Sequence, residues 1–227
     1  MIASPSDMIS PPAWLIHAAT QPGILRASQN KFIGIISAIC VAVWIVAAIN
    51  PVDRQAWLLE NVLLIIFAAL LAISQGRLNL SPASFLCLGL FVLLHIIGAH
   101  YTYAKMPLGL WAQEHLGFAR NHYDRLAHFA FGFFLAFPLR ELLLRFSGTR
   151  SGWGYFLAAA MILAASGLFE ILEAMVAEFL APGQGVAWLG GQGDEWDAQN
   201  DMLAALLGAV AMMALTALVR RSRKPAQ

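Results

Sequence analysis

MLAALLGAVAMMALTALV, Met202–Val219, carries no charged residue, and its reading decides the fold. A helix needs about 20 mainly apolar residues to cross a bilayer, so this stretch reads as a membrane span. Just before it, GGQGDEWDAQNDM (Gly190–Met202) holds Asp194, Glu195, Asp197 and Asp201. A row of carboxylates on the threshold of an apolar helix is either a helix cap or the rim of a polar site. Helix N-termini favour acids through their free N–H groups and dipole, so capping alone accounts for any one of them.

The composition agrees with a membrane protein. Of 227 residues, 59% are hydrophobic and 12% charged, against about 25% charged in soluble domains. The net charge of +1 gives no electrostatic case for nucleic-acid binding. Cys40 and Cys87 both lie in apolar runs and read as small hydrophobes, not as a disulfide or metal pair. Met1–Pro12 lacks the basic start of a signal peptide and holds three prolines. An interfacial or cytoplasmic tail is expected over residues 1–30, a transmembrane domain over 31–220 and a basic cytoplasmic tail over 221–227.

Hydropathy predicts an all-α bundle of six spans: Phe32–Ile49, Trp57–Ser74, Ala83–Tyr103, Asp124–Phe146, Trp153 to just before Pro182, and Asp197–Val219. The fourth is the weakest, apolar only between Leu126 and Leu139 before it meets Arg140 and Glu141. With six spans both termini lie on one side. That side holds Arg26, Lys31, Arg77, Arg140, Arg145, Arg150, Arg220, Arg221, Arg223 and Lys224, and the other only Arg54, Lys105, Arg120 and Arg125. The positive-inside rule then puts both termini in the cytoplasm. Most acids and histidines fall in the other half. Acids have little power over topology, and inside an apolar helix each is costly unless it faces a partner or a cavity.

At 1.5 Å per residue several of these groups reach one depth. His95 lies about 18 Å from the inner end of its span. His128 lies about 6 Å below Asp124 on the same helix face. Glu170 and Glu173 stand one turn apart, and Asp197 and Asp201 are spaced i, i+4. Two carboxylates at that depth must share a proton, meet a cation or meet a base from another helix. Arg120 and Arg125 in RNHYDRLAH are one candidate partner, forming an ion-pair network. Alternatively Arg120, His122 and Arg125, with Tyr101, seat an anionic headgroup.

His128, Glu170, Glu173, Asp197 and Asp201, with His95 as a further member, form the candidate ligand set for a divalent metal. Mixed imidazole and carboxylate ligands suit Zn, Mn or Fe, and carboxylates alone suit Mg or Ca; Zn, Mn and Mg are the expected cofactors. HExxH, Cys/His zinc spacing, an EF-hand loop, a phosphate loop and GxSxG are all absent. Three readings follow. One is a metal-assisted hydrolase or transferase acting on a lipid or lipid-linked headgroup, with Glu170, Glu173, His128 and Asp197 as its catalytic groups. Another is a proton- or cation-coupled transporter or ion-binding module. The last is a structural polar network between helices, whose close packing the small residues of GLFEILEA and LLGAVAM would permit.

The ordered motifs NPVDRQAW, LLHIIGAHYTYAKMPLG, RNHYDRLAHFAFG, FEILE and GGQGDEWDAQNDM resemble the YjdF family of bacterial inner-membrane proteins, over roughly Asn50 to Ala209. Gly191 stands where that family usually has Thr, and Phe169 is the aromatic before the first Glu. DRLAHF and the later acid pairs are also distantly similar to VanZ-like membrane proteins. The first resemblance implies a multi-pass inner-membrane protein and no reaction; the second points to the envelope or its lipid-linked precursors.

Overall fold

The computed structural model describes residues 22–180 and 192–222, which form seven helices and, among those residues, no strand. They are α1 (Pro22–Ala47), α2 (Arg54–Leu78), α3 (Pro82–His100), α4 (Pro107–Leu116), α5 (Tyr123–Phe146), α6 (Ser151–Leu180) and α7 (Asp197–Ser222). All but the ten-residue α4 are long and apolar enough to span a membrane. The helix α1 begins inside the stretch expected as tail. Met1–Gln21, Ala181–Gly191 and Arg223–Gln227 lie outside the described residues, and with them Gly190 and Gly191 of the acidic motif.

Local chemistry sets the helix ends. The Asp53 carboxylate accepts from the Gln55 and Ala56 N–H groups at 2.9 and 3.0 Å and caps α2. Ser81 caps α3, with Pro82 in the first turn, where its missing N–H costs nothing. After α3 the chain turns back sharply, with Thr102 and Tyr103 at φ 54° and 51°. Gly98 makes room for that return, since a Cβ there would lie 2.7 Å from the Tyr103 ring.

The weak fourth span is a continuous helix because its polar residues are satisfied by protein. Glu141 accepts from the Ser81 N–H at 3.0 Å, from the Ser81 and Ser84 hydroxyls at 2.8 and 2.5 Å, and from Arg145 at 2.6 Å. Arg140 is buried, its guanidinium 3.9 Å from the centre of the Tyr155 ring.

The most extensive pairing joins α5 to α7; α5 also packs on α3 and α6, while α1 and α2 sit outside against α3. A seam of small residues explains the α5–α7 contact. Gly132 and Ala136 on α5 face Ala205, Gly208 and Ala209 on α7. A Cβ at Gly132 would run into the Ala205 carbonyl, and one at Gly208 into the Phe129 carbonyl. Without a hydrophobic drive between helices in lipid, such close backbone approach supplies the association energy. Large apolar side chains point outward, Ile73 and Phe179 among them. Inside, Asn61, Ser84, Asn121, Ser166 and Asp201 are almost wholly buried.

Candidate functional site

The small-residue seam also builds the site. On α5 one face reads Asp124, His128, Gly132, Ala136, each four residues apart; on α7 it reads Asp197, Asp201, Ala205, Ala209. Side chains at i, i+4 stack on one face. The glycine contacts that bring the helices together therefore bring the acids and histidine above them together as well. Asp124, His128 and Asp201 each offer a ligand atom, all within 4.8 Å of one another. Glu170 on α6 reaches the same point, its Oε1 3.4 Å from His128 Nε2, and Asp124 Oδ1 lies 3.8 Å from that nitrogen. Ser166 Oγ lies 3.5 Å from His128 Nδ1. A Ser166 hydroxyl donating to Nδ1 leaves the imidazole proton on Nε2, facing the carboxylates; the opposite tautomer presents the Nε2 lone pair to a cation. Asp201 is 2% exposed, and its Oδ1 has no hydrogen-bond partner among the described residues.

A second layer sits nearer the end of the bundle. Arg120 Nη1 lies 2.6 Å from Asp197 Oδ1 and 3.3 Å from Asp194 Oδ2. Arg125 bridges three acids, at 2.7 Å from Asp194 and Asp197 and 2.6 Å from Asp201 Oδ2. It also donates to the Asp197 carbonyl at 2.6 Å. This clamp fastens the start of α7 to the start of α5. The Trp196 N–H, 2.9 Å from Asp194 Oδ1, then Asn200 and Arg125, hold the Asp194 carboxyl below its ordinary range. Asn121 locks the same corner. It exchanges hydrogen bonds with Gln192 at 3.0 Å, donates to the Ala104 and Met106 carbonyls, and accepts from the Tyr123 N–H.

Beside the His128 cluster lies a cavity of about 340 Å³. Its polar groups are Glu60, His95, Tyr103, Asp124, His128 and Glu173, with Ser166 and Thr102 beside them. Phe91, Phe131, Leu135 and Phe169 make apolar walls. The reversal after α3 folds Tyr103 back so that its hydroxyl sits 2.6 Å from His95 Nδ1. Burial, then the carboxylates of Glu60 and Asp124, hold the Tyr103 phenol well above its ordinary range. Which of the two donates depends on the His95 tautomer: the phenol gives its proton to a bare Nδ1 or accepts from Nδ1–H. Leu63 on α2 and Leu168 on α6 both line the cavity and are more than 40% exposed on the outside of the bundle. The helices α2 and α6 are not closely packed on each other, and the cavity lies between them.

The structure sorts the expected site residues into separate places. His128, Asp201 and Glu170 come together. Glu173 and His95 line the neighbouring cavity. Asp197 faces the arginines, and Arg120 and Arg125 are engaged by aspartates, as the ion-pair alternative has it. His122 is exposed, edge-on to Phe118. Tyr101 meets His100 edge to face with ring centres 4.7 Å apart, and is not among the residues lining the cavity. Sequence reasoning left Glu60, Tyr103, Ser166 and Asn121 out of the site, and placed Asp124 on the face of His128 without counting it among the candidate ligands. The Asp124 signal was present in its four-residue register with His128, Gly132 and Ala136.

Six apolar spans around a polar interior define a multi-pass integral membrane protein. The chain belongs to the family described as "Predicted membrane protein (DUF2238)", whose pattern matches residues 32–222. It is 40% identical over 168 residues to "Inner membrane protein YjdF" of Escherichia coli (strain K12), covering 73% of this chain and 79% of that one. The same resemblance carried by the sequence motifs is thus confirmed, and the protein is placed in the inner membrane. No solved structure matches the chain.

Proposed function

We propose that the protein is a membrane-embedded, metal-dependent hydrolase or transferase acting on the headgroup of a lipid or lipid-linked substrate. One observation carries the reading: Asp124 and His128 belong both to the ligand triad with Asp201 and to the wall of a cavity that opens toward lipid. A cavity of about 340 Å³ is at the lower end of small-ligand pockets, roughly 300–1,000 Å³. A headgroup would enter it while an acyl or prenyl chain leaves between α2 and α6. Carboxylates outnumber guanidiniums here: Glu60, Asp124, Glu170, Glu173, Asp194, Asp197 and Asp201 against Arg120 and Arg125. In a low-dielectric region that surplus calls for protons or a cation.

A Zn, Mn or Mg ion held by Asp124, His128 and Asp201 would polarise a phosphoryl or acyl oxygen or acidify a bound water. Zn takes imidazole and carboxylate at about 2.0–2.2 Å, so the three side chains would close inward on binding. Glu170 beside His128 would accept the proton released from water. The transport reading has less support. Below the cavity the bundle is filled by buried Ala136, Ile162, Ala209, Met212 and Met213, an apolar plug among the described residues. The bias of Lys and Arg toward the terminus-bearing end supports a cytoplasmic location for both termini and an outer-leaflet location for the cavity.

Metal analysis of purified wild type, Asp201→Asn and His128→Gln tests the reading. About one equivalent of one divalent metal is expected in the wild type, with most of it lost in both variants. Reconstitution in vesicles of bacterial lipid extract with that metal should then release a modified lipid detectable by mass spectrometry. A wild type that neither copurifies with nor takes up a divalent metal, or variants that keep it, would sink the proposal.

A further inference from the structure

We infer that the cavity beside the His128 cluster binds a primary ammonium group, carried on the headgroup of an ethanolamine-type phospholipid. Only the placement of the lipid phosphate rests on the metal reading above. The charge of the lining gives the sign of the ligand. Glu60 on α2, Asp124 on α5 and Glu173 on α6 bring three carboxylates to it, and no Lys or Arg is among the lining residues. Asp124 is shared with His128 and the ligand triad. Glu60 and Glu173 enter no hydrogen bond or ion pair with a described residue through their carboxylates. The three acids act on one point. Burial comes first in holding the Tyr103 phenol above its ordinary range, and Glu60, Asp124, Tyr123 and Glu173 follow. Like charges around one enclosed space repel each other, and a cation between them reverses the sign of that energy.

The lining atoms also select the kind of cation. A metal ion needs its ligand atoms close together, and among the described residues Asp124, His128 and Asp201 are the group that comes close enough. Glu60 and Glu173 stand outside that group and suit a cation that reaches its partners through hydrogen bonds. An ionised carboxylate only accepts, and an ammonium has three N–H donors to give. A quaternary ammonium has none and is held by aromatic faces alone. Phe67, Phe91, Phe131 and Phe169 line this cavity too, but with carboxylates among them. Apolar walls lower the local dielectric and strengthen each N–H to carboxylate bond.

The outer wall favours a lipid over a soluble amine. Leu63 and Phe67 on α2 and Leu168 on α6 line the cavity and are also exposed on the outside of the bundle. In a membrane span that outside is acyl chain, so the same side chains serve the cavity and the lipid. An ethanolamine phospholipid would set its ammonium between Glu60 and Glu173. Its phosphate would turn toward Asp124 and His128, where a metal on the triad meets it, and its chains would lie along Leu63 and Leu168.

Native mass spectrometry of the delipidated protein tests this, with a chelator present so that no divalent metal takes part. Phosphatidylethanolamine, phosphatidylcholine and phosphatidylglycerol with identical chains compete for the wild type. The ethanolamine lipid should be retained over both others, about ten-fold over the choline lipid. Glu60→Gln and Glu173→Gln should each remove most of that preference; should one variant not fold, the other carries the test. Equal retention of the three lipids, or a preference that a folded variant keeps, would overturn the inference. Displacement of the lipid by an equal concentration of free ethanolamine would overturn it too, and would assign the carboxylates to a soluble amine. A wild type that shows the preference yet takes up no metal once the chelator is removed upholds the ammonium site and removes the metal reading alone.

Discussion

The two ends of α5 handle buried charge in opposite ways. At the basic end Glu141 stands among donors that use up its carboxylate: a backbone N–H, two hydroxyls and a guanidinium. At the other end Asp124, His128, Asp201 and Glu170 crowd together, and Asp201 keeps a buried oxygen without a hydrogen-bond donor among the described residues. A saturated acid is what packing alone would produce, because an unmade buried hydrogen bond costs more than a made one returns. The unsaturated cluster is held in place by the seam and the arginine clamp, and its unfilled bonding capacity is what a bound cation or proton would use. Charge placed inside a membrane thus divides by how completely the protein answers it.

The largest effect should come from breaking the seam on which the cluster depends. Gly132→Val or Gly208→Val drives a side chain into the backbone of the facing helix. Overpacking of this kind costs about 1–3 kcal/mol, and more where the obstacle is backbone. We expect loss of folded protein from detergent extracts, read by size-exclusion chromatography. Gly152→Val, where nothing lies within 4 Å, should leave the elution profile alone. Equal tolerance of valine at Gly132 and Gly152 would mean the seam does not hold the cluster together.

Next comes the clamp. Arg125 answers Asp194, Asp197 and Asp201 together. Arg125→Gln leaves Asp194 and Asp197 with Arg120 and takes from Asp201 its arginine, and stranding buried charge costs about 3–5 kcal/mol. A fall in melting temperature is expected, larger than for Arg54→Gln, whose guanidinium bonds an exposed carbonyl. A melting temperature unchanged by Arg125→Gln would show the clamp to be idle.

The comparison is sharpened by neutralising one acid at each end. Glu141→Gln removes charge-assisted bonds from Ser81, Ser84 and Arg145 and should cost about 1.5–3 kcal/mol. Asp201→Asn gives up one of the contacts of Arg125 but relieves repulsion with Asp124 and Glu170. Its cost should stay below about 1 kcal/mol in metal-free protein, while metal uptake is lost. Differential scanning fluorimetry with a chelator decides. A larger loss for Asp201→Asn than for Glu141→Gln would make the outer cluster a structural network and withdraw the distinction.

Much of the fold is legible in the sequence because a bilayer imposes one coarse rule, a run of apolar residues long enough to cross. All six spans are found, with ends displaced. Residues of the polar RASQNK stretch lie within α1, since hydropathy marks where lipid ends and not where a helix does. The span ending at Tyr103 instead stops at His100, because the left-handed residues Thr102 and Tyr103 turn the chain back. The short α4 has no hydropathy signal. At the site, depth brought out His128, Glu170, Glu173, Asp197 and Asp201, since depth is simply residue count times rise. Facing is not contained in depth. Asp197 and Asp201 differ by one turn, yet the upper one meets Arg120 and Arg125 while the lower one meets Arg125 and His128. Glu60 stands near the start of its span, and only the folded bundle brings it into one cavity with His95 and Tyr103.

The smallest effect is a pH dependence confined to the clamp. The Asp194 carboxyl is held below its ordinary range by the Trp196 N–H, then by Asn200 and Arg125. A depressed carboxylate adds stability that is fully present above its unfolded pKa, about 3.9, and is lost as pH falls through the lower folded value. From pH 7 to 5 this group should contribute no slope. Below about pH 4 the wild type should lose an advantage that Asp194→Asn never had, because Asn can accept from the Trp196 N–H but cannot neutralise the arginines. The difference in melting temperature between the two proteins should therefore be flat near neutrality and shrink in acid. Taking the difference removes the titration of the other carboxylates, provided they respond alike in both proteins. Should it stay constant down to pH 3, Asp194 acts only as a turn-forming acceptor, and Asp197 and Asp201 alone answer Arg120 and Arg125.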